Sequence, residues 1–147
     1  MQSGAIRSDQ EIQPRESHEV RTFRVDGKPI QQGSMKAFNN RIIHQKTKEL
    51  LAWRALVAIH ARKAGCTPIT SPIAISLSFT LEKPKTARRA LPTVPPDLDK
   101  QIRSILDALT GVAYADDAQV CQISASKAYG SPGVEIQIWE IDPEKKV

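Results

Sequence analysis

Residues 73–81, IAISLSFTL, alternate with a strict period of two: Ile73, Ile75, Leu77, Phe79 and Leu81 on one face, Ala74, Ser76, Ser78 and Thr80 on the other. A helix would scatter those five large side chains around its circumference, so the stretch is a strand with one face in a core. That face must be covered by something amphipathic. Between Lys46 and Ala64, the residues Leu50, Trp53, Val57 and Ala61 recur at helical spacing, and Gly65 supplies a stop. After Asp99, which reads as an N-cap, Ile102, Ile105, Leu106 and Leu109 form a second helical stripe ended by Gly111.

Three more segments read as strands. HEVRTFRV, from His18 to Val25, is closed by a DGKP turn, while QVCQISASKAYG and GVEIQIWEI are joined by a turn from Gly130 to Gly133. The order β, α, β, α, β, β predicts a single-domain α/β (α+β) fold, with a mixed sheet of about four strands and two main helices packed against it. A chain of 147 residues, 40% hydrophobic, can bury such a core without staples. Residues 1–17 are polar and aperiodic and contain Pro14, so they read as a mobile tail ahead of a domain spanning 18–147. Cys66 and Cys121 lack metal-ligand spacing and suggest no disulfide framework, and Trp53 and His60 read as core and helix-surface residues. With no signal-peptide pattern, and the most apolar run, LLAWRALVAIHA, interrupted by Arg54, a soluble cytoplasmic protein without a membrane partner is expected.

Lys and Arg number 21 against 16 Asp and Glu, a formal charge of +5, which favours a polyanionic partner. Aromatics at 5% argue against a platform on which single-stranded bases stack. Lys83, Lys85, Arg88 and Arg89 concentrate in a proline-punctuated loop, EKPKTARRALPTVPP, directly after the alternating strand. A second loop, PIQQGSMKAFNN, has Gly33, Ser34 and Lys36 in a position to meet a phosphate, but it lacks the full phosphate-loop pattern, and its residue types alone favour an ordinary strand-to-helix connection.

The basic loop leads into PPDLDKQIR. Pro95 and Pro96 favour an extended approach, in which Asp97 and Asp99, two residues apart, face the same side. Asp99, Arg103 and Asp107 then stand at four-residue spacing along the polar side of the helix. A second pair, Asp116-Asp117, comes after a connection short enough to fold back beside the first. Gathered carboxylates repel one another unless a cation sits among them, and oxygen-rich sites suit Mg²⁺ or Mn²⁺. Taken singly, each pair equally reads as a turn, a cap or a solvated loop. A carboxylate cluster beside a Lys/Arg loop in a basic chain, however, is what a nuclease needs.

The run PPDLDKQIRSILDALTGVAYADDAQV, together with KPIQQGSMKAF upstream and Lys127 in the strand after DDAQV, resembles the signature of the RusA family of Holliday junction resolvases, common in bacteriophages and prophages. The resemblance implies a homodimeric, Mg²⁺-dependent endonuclease, with Mn²⁺ as a possible substitute, that nicks four-way DNA junctions symmetrically in recombination and repair within a bacterial host. It assigns metal-binding and catalytic roles to Asp97, Asp99 and Asp117, with Asp116 beside the metal and Asp107 in support. The family's catalytic lysine falls at Arg103, which keeps the charge but does not readily pass a proton. Lys100 stands where many members have Asn. Lys36, Lys83, Lys85, Arg88, Arg89, Lys100 and Lys127 are the expected DNA contacts. Two alternatives stand beside this reading: a module that binds branched DNA without cutting it, and a less selective nuclease for flaps or forks.

Overall fold

A computed structural model describes residues 20–33 and 40–144. The expected tail and Lys36 lie outside the described residues. Four strands, β1 (Val20–Asp26), β2 (Ile73–Leu81), β3 (Val120–Tyr129) and β4 (Gly133–Glu140), and two helices, α1 (Asn40–Lys63) and α2 (Leu98–Leu109), occur in the expected order of types. The strands form one mixed sheet in the order β1-β4-β2-β3, antiparallel except for the parallel pair β2 and β3. The fold is α+β, as read from the sequence.

The alternation in β2 performs as its period requires. Ile73, Ile75, Leu77 and Phe79 are almost wholly buried and meet Val134, Ile136 and Ile138 of β4, Val25 of β1, Trp53, Val57 and Ala61 of α1, and Ile105, Ala108 and Leu109 of α2 in one core. Each of the larger aliphatic side chains stabilises the fold by roughly 1.5–3 kcal/mol through burial. Both helices therefore share one face of the sheet. On the opposite face Ala74, Trp139 and Ile141 form a small second cluster with Val20 against it, and the hydroxyls of β2 and β3 lie alongside.

Boundaries moved in three places. β1 begins at Val20 and runs one residue past Val25. α1 starts at Asn40, six residues before the expected beginning at Lys46. α2 starts at Leu98, so its N-cap is Asp97, extended at φ −71° and ψ 138°, and not Asp99, which lies in the first turn. The strands β3 and β4 are joined by a short turn yet are not neighbours. Their connection passes over the end of β2, where the Gly130 N–H donates to the Leu81 carbonyl at 2.9 Å. A β-carbon on Gly130 would lie 2.8 Å from Thr80 Cγ2, so only glycine allows the crossing this close.

Candidate active site

The loop of residues 82–96 leaves the C-terminal end of β2 and delivers Asp97 and Asp99 to the N-terminal end of α2. Negative charge is favoured there by the helix dipole. The backbone of Asp97 is held from two directions: its N–H donates to Gln31 Oε1 at 2.7 Å, and its carbonyl accepts the Gln101 N–H at 3.0 Å. Its carboxylate, by contrast, makes no capping bond. Instead it faces a cation, with Lys100 Nζ 3.2 Å from Asp97 Oδ2 and both side chains partly exposed. Such a solvent-facing pair is worth at most about 1 kcal/mol. A metal ion or a phosphate can therefore displace it. Asp99 and Arg103 are exposed, one turn apart on the same side of α2.

The second acidic pair is elsewhere. β3 runs parallel to β2, from Val120 near Ile73 to Tyr129 opposite Leu81. A parallel pair requires a crossover that returns the chain to the starting end of the sheet, and α2 is that crossover. Asp97 and Asp99 on one side and Asp116 and Asp117 on the other are thus at opposite ends of a helix of 12 residues, about 18 Å long. The expectation that Asp116-Asp117 folds back beside Asp97 and Asp99 within the chain is corrected on this ground. Among the described residues no three His, Cys, Asp or Glu side chains gather into a metal-binding group.

Asp116 is occupied structurally. It caps the short 3-10 turn Asp117–Gln119, its Oδ1 accepting the Ala118 N–H at 2.9 Å, while Gln119 Oε1 accepts the N–H of Asp116 at 2.8 Å and of Ala115 at 2.9 Å. The amide of Gln119 also donates to the carbonyls of Ile69 and Ser71, both at 2.9 Å, which fastens the turn to the segment entering β2. Asp117 is left exposed on that turn. Its charge, with that of Asp107, reaches the buried Tyr114 hydroxyl. Asp107 lies 3.9 Å from Arg54 and so bridges α2 to α1.

The basic loop is fixed against the last residues of β3. Tyr129 accepts a hydrogen bond from Arg89 Nε at 2.7 Å, and its ring has Lys83 Nζ 5.7 Å and Arg89 Cζ 5.8 Å from its centroid. Lys85 and Arg88 are exposed. Lys127, two residues before Tyr129 on the same face of the strand, donates to the Val94 carbonyl at 2.9 Å and the Pro96 carbonyl at 3.0 Å. His60 is used within its own helix, its Nδ1 3.0 Å from the Leu56 carbonyl, and both cysteines are free thiols. Sequence reasoning missed Gln31, Gln119, Tyr114 and Tyr129. Only Gln119 had a local signal, the D-x-x-Q spacing of a capping box.

Asp97 and Asp99 fit a hard divalent ion. The Asp97 carboxylate is not engaged in capping, a cation already rests on it, and Mg²⁺ is commonly held by one or two carboxylates, with water and phosphate completing its shell. No helix among the described residues is long and apolar enough to cross a membrane. The chain is 33% identical over 137 residues to the uncharacterized protein YqaN of Bacillus subtilis (strain 168), an alignment covering 81% of this chain and 95% of that protein. The family model of endodeoxyribonuclease RusA matches residues 26–139, from the end of β1 to the penultimate residue of β4, and the chain belongs to that family.

Proposed function

We propose that this protein is a Mg²⁺-dependent endodeoxyribonuclease that resolves four-way DNA junctions by paired nicks, as a homodimer acting in recombination and repair. The observation that carries the reading is the adjacency of a fixed cationic loop to a carboxylate pair: residues 83–89 lead through Pro95 and Pro96 into Asp97 and Asp99. Lys85 and Arg88 offer the phosphate backbone exposed ammonium and guanidinium groups, and Lys83 and Arg89 hold the loop's shape while adding to its field. Asp97 and Asp99 hold the metal, which when bound supplies Lewis-acid activation and neutralises phosphate charge. Arg103, exposed one turn along α2, offsets charge that develops on the phosphate.

Asp117 enters in trans. Since α2 separates it from Asp97 and Asp99 in one chain, a metal site using all three acids needs two chains, each giving its Asp117 to the other's carboxylate pair. A four-way junction and a C₂ dimer share two-fold symmetry, so two such sites meet two strands.

The test is a labelled junction incubated with protein in Mg²⁺, in Mn²⁺ and in chelator. Paired nicks that require metal and disappear in Asp99→Asn are expected. Retarded but uncut junction in every lane would sink the nuclease reading and leave a binding module, while equal cutting of forks and linear duplex would leave a less selective nuclease. Mixing Asp99→Asn with Asp117→Asn separates the two arrangements: mixed dimers regain one intact site, and single-strand nicking, only if the site is shared between chains.

A further inference from the structure

We propose that Lys127 is a positioning residue that sets the metal-binding carboxylates, and not a contact to the DNA backbone; the inference rests on the nuclease reading above. The reason lies in the segment it touches. Val94, Pro95 and Pro96 run directly into Asp97, and the two prolines carry no N–H, so they offer only carbonyls by which the turn can be anchored. Lys127 reaches the carbonyls on both sides of Pro95, that of Val94 at 2.9 Å and that of Pro96 at 3.0 Å. An ammonium has three donors and no acceptor, and bonds from a charged donor are about twice as strong as neutral ones. Two of its three protons are thus committed to this turn.

The lysine is itself well held. It sits on β3 opposite Phe79, a core residue of β2, and is only partly exposed. The Pro96 carbonyl that it grips belongs to the peptide whose N–H, on Asp97, donates to Gln31 Oε1 at 2.7 Å. One peptide unit immediately before the carboxylates is therefore clamped at both ends, by β3 on the carbonyl and by residue 31 on the nitrogen. The chain on the far side of Asp97 is carried by the first helical bond, from the Gln101 N–H. The side chain of Asp97 is left for a cation while the backbone groups on either side of it are fixed. Tyr129 does the same for the cationic part of the loop through Arg89 and Lys83, so one face of β3 organises both halves of the site.

The experiment uses full-length protein with Lys127→Met, Lys127→Gln and Lys127→Arg. Four quantities are measured: the single-turnover cleavage rate at saturating junction, junction affinity in chelator as a function of salt, Mn²⁺ binding without DNA, and amide hydrogen exchange over residues 97–101. Expected for Met and Gln are a rate lower by on the order of a hundredfold, as for misplaced catalytic groups, together with weaker Mn²⁺ binding, faster exchange and an unchanged salt slope. Arg, which can also donate to both carbonyls, restores much of the rate. A salt slope reduced by about one with the saturated rate unchanged is the signature of a phosphate contact and would overturn the proposal. So would unchanged exchange in the folded variants. If Lys127→Met does not fold, Lys127→Gln carries the comparison. If the wild type cuts no junction the nuclease reading fails by itself, and the exchange and Mn²⁺ measurements still decide whether Lys127 positions Asp97.

Discussion

Arg103, exposed one turn beyond Asp99 on α2, is the residue at which the proposed chemistry is tested most sharply. In the proposed reaction a guanidinium at this place supplies charge and two-pronged hydrogen bonding to a phosphate, which the compact ammonium of a lysine does not reproduce. Arg103→Gln is expected to lower the cleavage rate at saturating junction about a hundredfold, a typical loss for one charge-stabilising group. Arg103→Lys, which keeps the charge but loses the planar fork, should keep a larger share of the rate than Arg103→Gln, measured under the same single-turnover conditions. Residue types of this kind were readable from the sequence: two carboxylates behind a proline pair, four cations before it, an arginine one turn on. What each side chain bonds to was not. Asp116 is taken up by a cap and Lys127 by two carbonyls, and those partners lie two residues away in one case and more than thirty in the other. Local spacing reveals the first kind of partner and is blind to the second.

Helix α2 shows the same division at the level of the element. Its apolar stripe and its end near Gly111 come from composition and period. Its orientation does not, because that depends on β3 lying parallel to β2, which the periodicity of neither strand records. The end of the helix is closed by a convergence on one carbonyl: Leu106 O accepts the Thr110 N–H at 3.2 Å, the Thr110 hydroxyl at 2.9 Å and the Tyr114 hydroxyl at 2.7 Å. Burial drives the Tyr114 phenol above its usual value of 10.0, the neighbouring Thr110 side chain opposes the shift, and the charges of Asp117 and Asp107 add to it. The folded form thus keeps a proton that the unfolded chain gives up near pH 10, so stability is intact below that pH and declines as the pH climbs above it. Tyr114→Phe should cost about 1 kcal/mol at about pH 8 by leaving Leu106 O one donor poorer. It should also remove this residue's share of the alkaline decline, so that urea midpoints of the two proteins converge between roughly pH 8 and 11.

For the whole molecule, a surplus of five positive charges matters less than where they stand. Lys83, Lys85, Arg88 and Arg89 all lie on the loop beyond the C-terminal end of β2, the end at which α2 begins. Junction affinity measured in chelator should fall steeply with salt. The double variant Lys85→Gln/Arg88→Gln is expected to reduce the slope of log affinity against log salt by about two, uniformly across junction sequences. Fluorescence anisotropy over a salt series checks it, and an unchanged slope would move the DNA to another face.

The strand order β1-β4-β2-β3 also governs how the chain comes to be folded at all. β4 is made last among the strands yet stands inside the sheet, joined to β1 on one side and β2 on the other. A nascent chain that has reached Tyr129 can pair β2 with β3, but among the described strands β1 still has no neighbour, and the core lacks Val134, Ile136 and Ile138. Of the four described strands, the earliest made thus gains its sheet partner only with the latest made, a non-local pairing of the kind that slows folding.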